Sequence, residues 1–214
     1  MKMITKFRVG VAVVAAILGS FGVADNAQAA STPGVLTATI NLAALAQSAP
    51  VPISQAVARL QSTKALQANA SAAGPLDCQA VTITSAANGK YVSAEFGWSG
   101  DNYGMLRARA TVEGPWEEYA LCTYGSGYVI ASLANGDYVS TELGWTGDRY
   151  GMLRARASSV GPWEQYAIDS YGSNITIRSL ANGDYVSTEL GWSGDRYGML
   201  RARASSVGPW EQYY

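Results

Sequence analysis

Three copies of one glycine-framed stretch hold the side chains best placed for chemistry: GWSGDNYGMLRARA from Gly97, GWTGDRYGMLRARA from Gly144 and GWSGDRYGMLRARA from Gly191. Each sets a Trp (Trp98, Trp145, Trp192) three residues before an Asp (Asp101, Asp148, Asp195) and five before a Tyr (Tyr103, Tyr150, Tyr197). A flat indole can lie on the C–H face of a pyranose. The carboxylate can accept hydrogen bonds from neighbouring hydroxyls, and the phenol can flank the same shallow site. A structural reading uses the same residues differently: the indoles cap the open end of a barrel and the Asp side chains form Asx turns.

Glu95, Glu142 and Glu189 lie just upstream. With the Asp residues they suggest a two-carboxylate hydrolase, but that chemistry needs an acid of raised pKa in a walled cleft, which a hairpin loop does not offer. An exposed cross-strand ion pair with Arg107, Arg154 or Arg201 accounts for each Glu and still leaves it at the rim of a ligand site. The chain contains no His and only two Cys, which sets aside imidazole base catalysis, His-ligated metal and a thiolate zinc site. No cofactor and no catalysis are expected.

The elements that must position these residues follow from repetition. Asn88, Asn135 and Asn182 head the same ANG tripeptide at intervals of 47 residues, and Ser132 to Tyr166 differs from Ser179 to Tyr213 only at Thr146 against Ser193. The first copy is more diverged. Each unit holds two glycine-containing turns, a GP pair and short alternating runs such as YVSTE and MLRARA, so the units are β rather than helical. A propeller needs more blades. Three copies of four short strands over about 140 residues are what a β-trefoil requires.

In the first unit the strands are expected at 80–85, 91–96, 105–110 and 116–121. The hairpin register that sorts both faces puts Glu95 opposite Arg107 and Ser93 opposite Arg109 on a wet face, with Val92, Ala94 and Phe96 opposite Ala110, Ala108 and Leu106 on a buried one. Trp116, Trp163 and Trp210 then lead the fourth strands and, with Tyr119, Tyr166 and Tyr213, are expected in the core.

At NGKYVSAE, LRARA and GPWEEY, and at NGDYVSTE, LRARA and GPWEQY in the later copies, the chain resembles the fascin-like β-trefoil family over residues 80–214. The resemblance implies the trefoil fold. Given a bacterial-type export signal, it implies lectin-like carbohydrate binding rather than the cytoskeletal bundling of animal members. In a trefoil the strands carrying Cys78 and Cys122 are antiparallel neighbours, so a disulfide is expected, with two free thiols as the alternative.

The N-terminal third reads differently. Residues 1–29 have the form of a signal peptide: Lys2, Lys6 and Arg8, an apolar run from Val9 to Val23, then Ala27-Gln28-Ala29. Its removal takes three basic groups and Asp25 from the 15 Lys plus Arg and 16 Asp plus Glu, leaving 12 and 15. That balance argues against nucleic acid, and no membrane span is expected in the mature chain. Residues 30–75 are rich in Ala, Ser and Gln and read as a linker or propeptide. Its one candidate helix, 53–67, has only a thin stripe of Val57, Leu60 and Leu66. The expected domains are 1–29, 30–75 and a trefoil at 76–214 with repeats 76–122, 123–169 and 170–214.

Triplication favours weak sites multiplied on one rigid body, since a catalytic centre gains little from copying. The expectation is a secreted, monomeric, carbohydrate-binding protein with up to three sites for a polysaccharide or surface glycan. The alternatives are a secreted trefoil that binds or inhibits a protein, a glycan-active enzyme or an actin-bundling fascin-like protein.

Overall fold

A computed structural model describes residues 41–67 and 76–214. The signal segment, the remainder of 30–75 and the side chain of Leu66 lie outside the described set.

The described part opens with a short helix α1 (Leu42–Leu45), strand β1 (Val51–Pro52) and helix α2 (Ile53–Gln67). The first repeat follows as β2 (Cys78–Thr82), β3 (Thr84–Ser85), β4 (Lys90–Glu95), β5 (Met105–Ala110) and β6 (Glu118–Tyr124). The second comprises β7 (Gly127–Ser132), β8 (Tyr138–Glu142), β9 (Met152–Ala157) and β10 (Tyr166–Tyr171). The third comprises β11 (Asn174–Ser179), β12 (Tyr185–Glu189) and β13 (Met199–Ala204) and ends on bridges from Tyr213 to Ser85 and Ile175.

Two layers result. One is a ring in which β2 pairs with β6, β6 with β7, β7 with β10 and β10 with β11, closed through Tyr213. The other is a triangle of hairpins, β4–β5, β8–β9 and β12–β13, joined about the threefold axis by single rungs: Met105 to Arg154, Arg201 to Met152 and Met199 to Arg107. This is the β-trefoil arrangement. Its core repeats with the sequence: Val92, Val139 and Val186, Leu106, Leu153 and Leu200, and Tyr119, Tyr166 and Tyr213 are all buried.

At the triangle the backbones approach closely. Gly151 has a φ of 74°, and a Cβ there would sit 2.4 Å from the Ala202 carbonyl oxygen, so glycine is required twice over. The contact is a hydrogen bond from Ala202 N–H to Gly151 O, and Gly104 and Gly198 make the same contact at the other two seams.

The hairpin register differs from expectation by two residues: Ser93 faces Arg107, Ala94 faces Leu106 and Glu95 faces Met105. A bulge between Tyr91 and Val92 leaves Arg109 as the extra residue. A two-residue shift keeps each side chain on its face, so Val92 and Ala94 remain inside. The other face is exposed only at Arg109, since Ser93, Glu95 and Arg107 are buried against the neighbouring repeat.

The segment read as a spacer is, over 51–60, part of the barrel. Ile53, Ala56, Val57 and Leu60 bury almost completely in the cluster that holds Tyr119, Ile130 and Ile177. β1 pairs in parallel with β2, Val51 with Val81 and Pro52 with Thr82. It takes the edge of β2 that the preceding repeat's fourth strand takes on β7 and β11. The helix has little apolar surface of its own and is stabilised by packing rather than by propensity.

Cys78 and Cys122 occupy opposite rungs of β2 and β6 with Cα atoms 4.1 Å apart and are joined as a disulfide. Leu42, Leu45 and Leu76 pack over this strand pair. In the chain-entropy description, closing a loop of 44 residues stabilises the fold by about 4 kcal/mol.

Candidate functional site

Each hairpin tip turns through a 3-10 segment, Gly100–Asn102, Gly147–Arg149 or Gly194–Arg196, which holds Asp101, Asp148 and Asp195 out in solvent. The preceding indole folds back. Trp98, Trp145 and Trp192 are half-buried and pack on Met105, Met152 and Met199 at the axis. Against each ring lies the first Arg of the following LRARA: Arg107 is 5.1 Å from the Trp98 centroid, Arg154 5.3 Å from Trp145 and Arg201 5.2 Å from Trp192. These rings are therefore neither free stacking platforms nor sealed core.

The same arginines stitch the repeats together. Arg154 donates to the carbonyls of Tyr103 (2.8 Å) and Gly100 (3.1 Å) in the preceding loop. Arg201 does so to Tyr150 and Gly147, and Arg107 to Tyr197 and Gly194. Each hairpin tip is held by a guanidinium from the next repeat. Burial lowers the pKa of these three arginines from its usual value, and the facing Glu opposes that shift.

The expected Glu to Arg pairing exists with another main partner. Both oxygens of Glu95 accept from Arg109, one from Nε and the other from Nη2 at 2.7 Å, while Arg107 Nη1 stands 3.7 Å away. Glu142 is held in the same way by Arg156 and Glu189 by Arg203. The hydrogen bonds to Glu raise the pKa of Arg109, Arg156 and Arg203. All three Glu side chains are buried while Arg109, Arg156 and Arg203 remain exposed, so each pair is sealed on its carboxylate side and the carboxylates do not reach a rim. The bulge makes Arg109 the extra residue of β5, and its exposed guanidinium covers the buried Glu95 carboxylate.

Trp and Asp of one loop do not form a site together. Asp101 pairs with Arg149 of the next repeat, and Asp148 with Arg196. A 360 Å³ groove beside Trp192 is lined by Gly191, Ser193, Arg196 and, from the preceding repeat, Asp148. The indole and carboxylate that meet thus come from different copies. Sequence spacing alone gives no sign of that exchange, which depends on how the three hairpins close around the axis.

The more exposed indoles are the other set. Trp116, Trp163 and Trp210 are 39%, 36% and 38% exposed, against the expectation of core positions. They precede the fourth strands instead of opening them. In the later copies Pro162–Glu164 and Pro209–Glu211 form 3-10 turns in which Glu164 and Glu211 accept from the N–H of Gly161 and Gly208, both at 2.7 Å. The GP pair that fixes this turn was the available signal. Only Tyr119, Tyr166 and Tyr213, three residues on, enter the core.

Each presented indole lies against the hairpin stem, with the Trp116 ring edge 3.5 Å from where a Cβ of Gly97 would stand. In the first repeat Phe96 joins Trp116 (centroids 6.0 Å apart) to Tyr103 (5.4 Å). Tyr103 and Tyr197 are exposed and Tyr150 is half-buried. A continuous aromatic surface therefore forms in the first repeat, whereas Leu143 and Leu190 stand at the place of Phe96 in the later copies. Among the described residues no group of three or more Cys, Asp or Glu gathers as a metal set, and no helix is long and apolar enough to cross a membrane.

No family model and no curated protein matches the chain. Among solved structures it is similar to a designed threefold-symmetric protein, ThreeFoil, at 18% identity and a TM-score of 0.53, over 63% of this chain and 95% of that one. It is also similar to the Rhizoctonia solani agglutinin, at 12% identity and a TM-score of 0.50, over 66% of this chain and 96% of that one. A third likeness is to an exo-β-1,3-galactanase from Clostridium thermocellum, at 15% identity and a TM-score of 0.52, over 62% of this chain but 28% of the enzyme. At these identities the likeness is one of fold: the chain is a β-trefoil.

Proposed function

We propose that the protein is a secreted, monomeric, lectin-like β-trefoil of the fascin-like kind, binding a polysaccharide or surface glycan at several equivalent places without catalysis. The observation that carries this reading is the threefold exposure of an indole, Trp116, Trp163 and Trp210, on one rigid body, joined in the first repeat through Phe96 to Tyr103. An aromatic face with nearby polar groups suits a sugar ring, and three copies raise the effective concentration on a repeating polymer. The agglutinin of the same fold is consistent with that use. Secretion is supported by the leader-like residues 1–29 and by the disulfide, which belongs in an oxidising compartment.

A non-catalytic role is favoured because Glu95, Glu142 and Glu189 are buried with both oxygens bound to arginine, out of reach of a substrate. The test is binding to insoluble polysaccharides and to a glycan array by Trp116→Ala, Trp163→Ala and Trp210→Ala, singly and combined. Each single change is expected to weaken binding roughly tenfold or less and the triple change to remove it, as avidity dictates. A folded triple variant that binds as well as the parent overturns the proposal.

A further inference from the structure

Residue 102 breaks the threefold symmetry of the hairpin triangle. Copies two and three have Arg149 and Arg196 at the equivalent positions. Arg149 lies 5.7 Å from the Trp145 centroid and pairs with Asp101 of the preceding repeat. Arg196 lies 5.8 Å from Trp192 and pairs with Asp148. The same relation sets Asn102 between Trp98 and Asp195, and an uncharged, short Asn replaces neither contact. Trp98 is left with one guanidinium, that of Arg107, and among the described residues Asp195 has no ion pair. A pocket of 190 Å³ opens there, bounded by Asn102, Asp195, Arg149 and Arg196, with the three axial methionines. Its space equals about six waters at liquid density, room for one pyranose.

We infer that this third seam is a single cation-binding subsite, in which the ligand supplies the charge that Arg149 and Arg196 supply at the other two. Resting on the glycan-binding reading above, the ligand is an amino sugar carrying a free ammonium group. Arg149 and Arg196 pair with Asp101 and Asp148, whereas Arg107 stands 3.7 Å from Glu95, whose main partner is Arg109, and also acts at longer range on Asp195. Asp195 remains as acceptor for a charge-assisted hydrogen bond and the methionines as an apolar floor for the sugar ring, while Trp98 packs on those methionines without bounding the pocket.

The experiment titrates the full chain with a glucosamine hexamer and with its fully N-acetylated counterpart at mildly acidic pH. The free-amine oligomer is expected to bind this seam once per chain. Asn102→Arg, which supplies the third guanidinium, and Asp195→Asn should each weaken it by about tenfold or more. Arg149→Asn, which takes a guanidinium from the wall of the same pocket and frees Asp101, should tighten binding at an unchanged stoichiometry of one. Equal affinity for both oligomers, or a folded Asn102→Arg variant that binds as the parent does, overturns the inference. If that happens while the Trp116, Trp163 and Trp210 changes still remove polysaccharide binding, the seam assignment fails and the glycan reading survives. Tighter binding of an arginine peptide than of the amino-sugar oligomer overturns the choice of ligand.

Discussion

The Glu95 carboxylate is nearly sealed from water, and its neighbour Arg107 is buried too, with side-chain exposures of 3% and 9%. Truncating Glu95 leaves the Arg107 charge in a low-dielectric seam without its counter-charge. Glu95→Ala is therefore expected to cost about 3–5 kcal/mol. Asp101→Ala, which removes a solvent-exposed pair with Arg149, should cost less than about 1 kcal/mol. Urea midpoints of the two variants decide it, and similar midpoints would mean the Glu95 pair is no more important than a surface contact. That Glu95 pairs with an arginine of MLRARA was legible from alternation along the hairpin. Which arginine was not, because the bulge after Tyr91 carries no glycine and no other local mark. The exposure of Trp116 was hidden for a related reason: moving the start of the fourth strand to Glu118 leaves the indole in the preceding turn.

At the scale of elements, helix α2 shows what periodicity can and cannot reveal. Val57 and Leu60 form a stripe too thin to sustain a helix alone, which made a spacer the natural reading of the sequence. With Ile53 and Ala56 it is sufficient once an apolar barrel face is offered, and no local pattern announces that β2 and β6 supply that face. Leu60 is buried against that cluster, so Leu60→Ala is expected to lower stability by about 2–5 kcal/mol, the usual cost of a core cavity. Thermal unfolding of the full chain checks this. A change no larger than that of an exposed substitution such as Ser62→Ala would mean the helix is dispensable to the barrel. The strands, by contrast, were largely legible, because the 47-residue period repeats every turn signal three times and MLRARA occupies 105–110 as expected. The triangle contacts were not, since Gly104, Gly151 and Gly198 look like ordinary turn glycines until a neighbouring backbone arrives.

At the scale of the whole molecule, the three repeats converge on Tyr119, Tyr166 and Tyr213, each fully buried with its hydroxyl donating to a carbonyl of Val92, Val139 or Val186. Burial raises all three hydroxyl pKa values above the ordinary value of 10.0, while Thr141 and Thr188 lean against the shift at Tyr166 and Tyr213 by hydrogen bonding. Unfolded, these tyrosines ionise near pH 10.0, whereas the folded chain keeps their protons. Above that pH the unfolded state binds fewer protons than the folded state, so stability falls as pH rises. The contribution is intact below about pH 10 and is lost as pH climbs towards the folded values. Each tyrosine adds a slope of about 1.4 kcal/mol per pH unit, and three together about 4 kcal/mol per unit. Guanidinium unfolding across an alkaline pH series should show that slope, with these tyrosinates appearing in the ultraviolet spectrum only as the fold is lost. Because the three positions are symmetry equivalents within one barrel, Tyr166→Phe should lower the slope by one tyrosine's share, about 1.4 kcal/mol per pH unit. If the three ionised one by one in a folded chain, the repeats would be titrating as separate units and not as a single cooperative body.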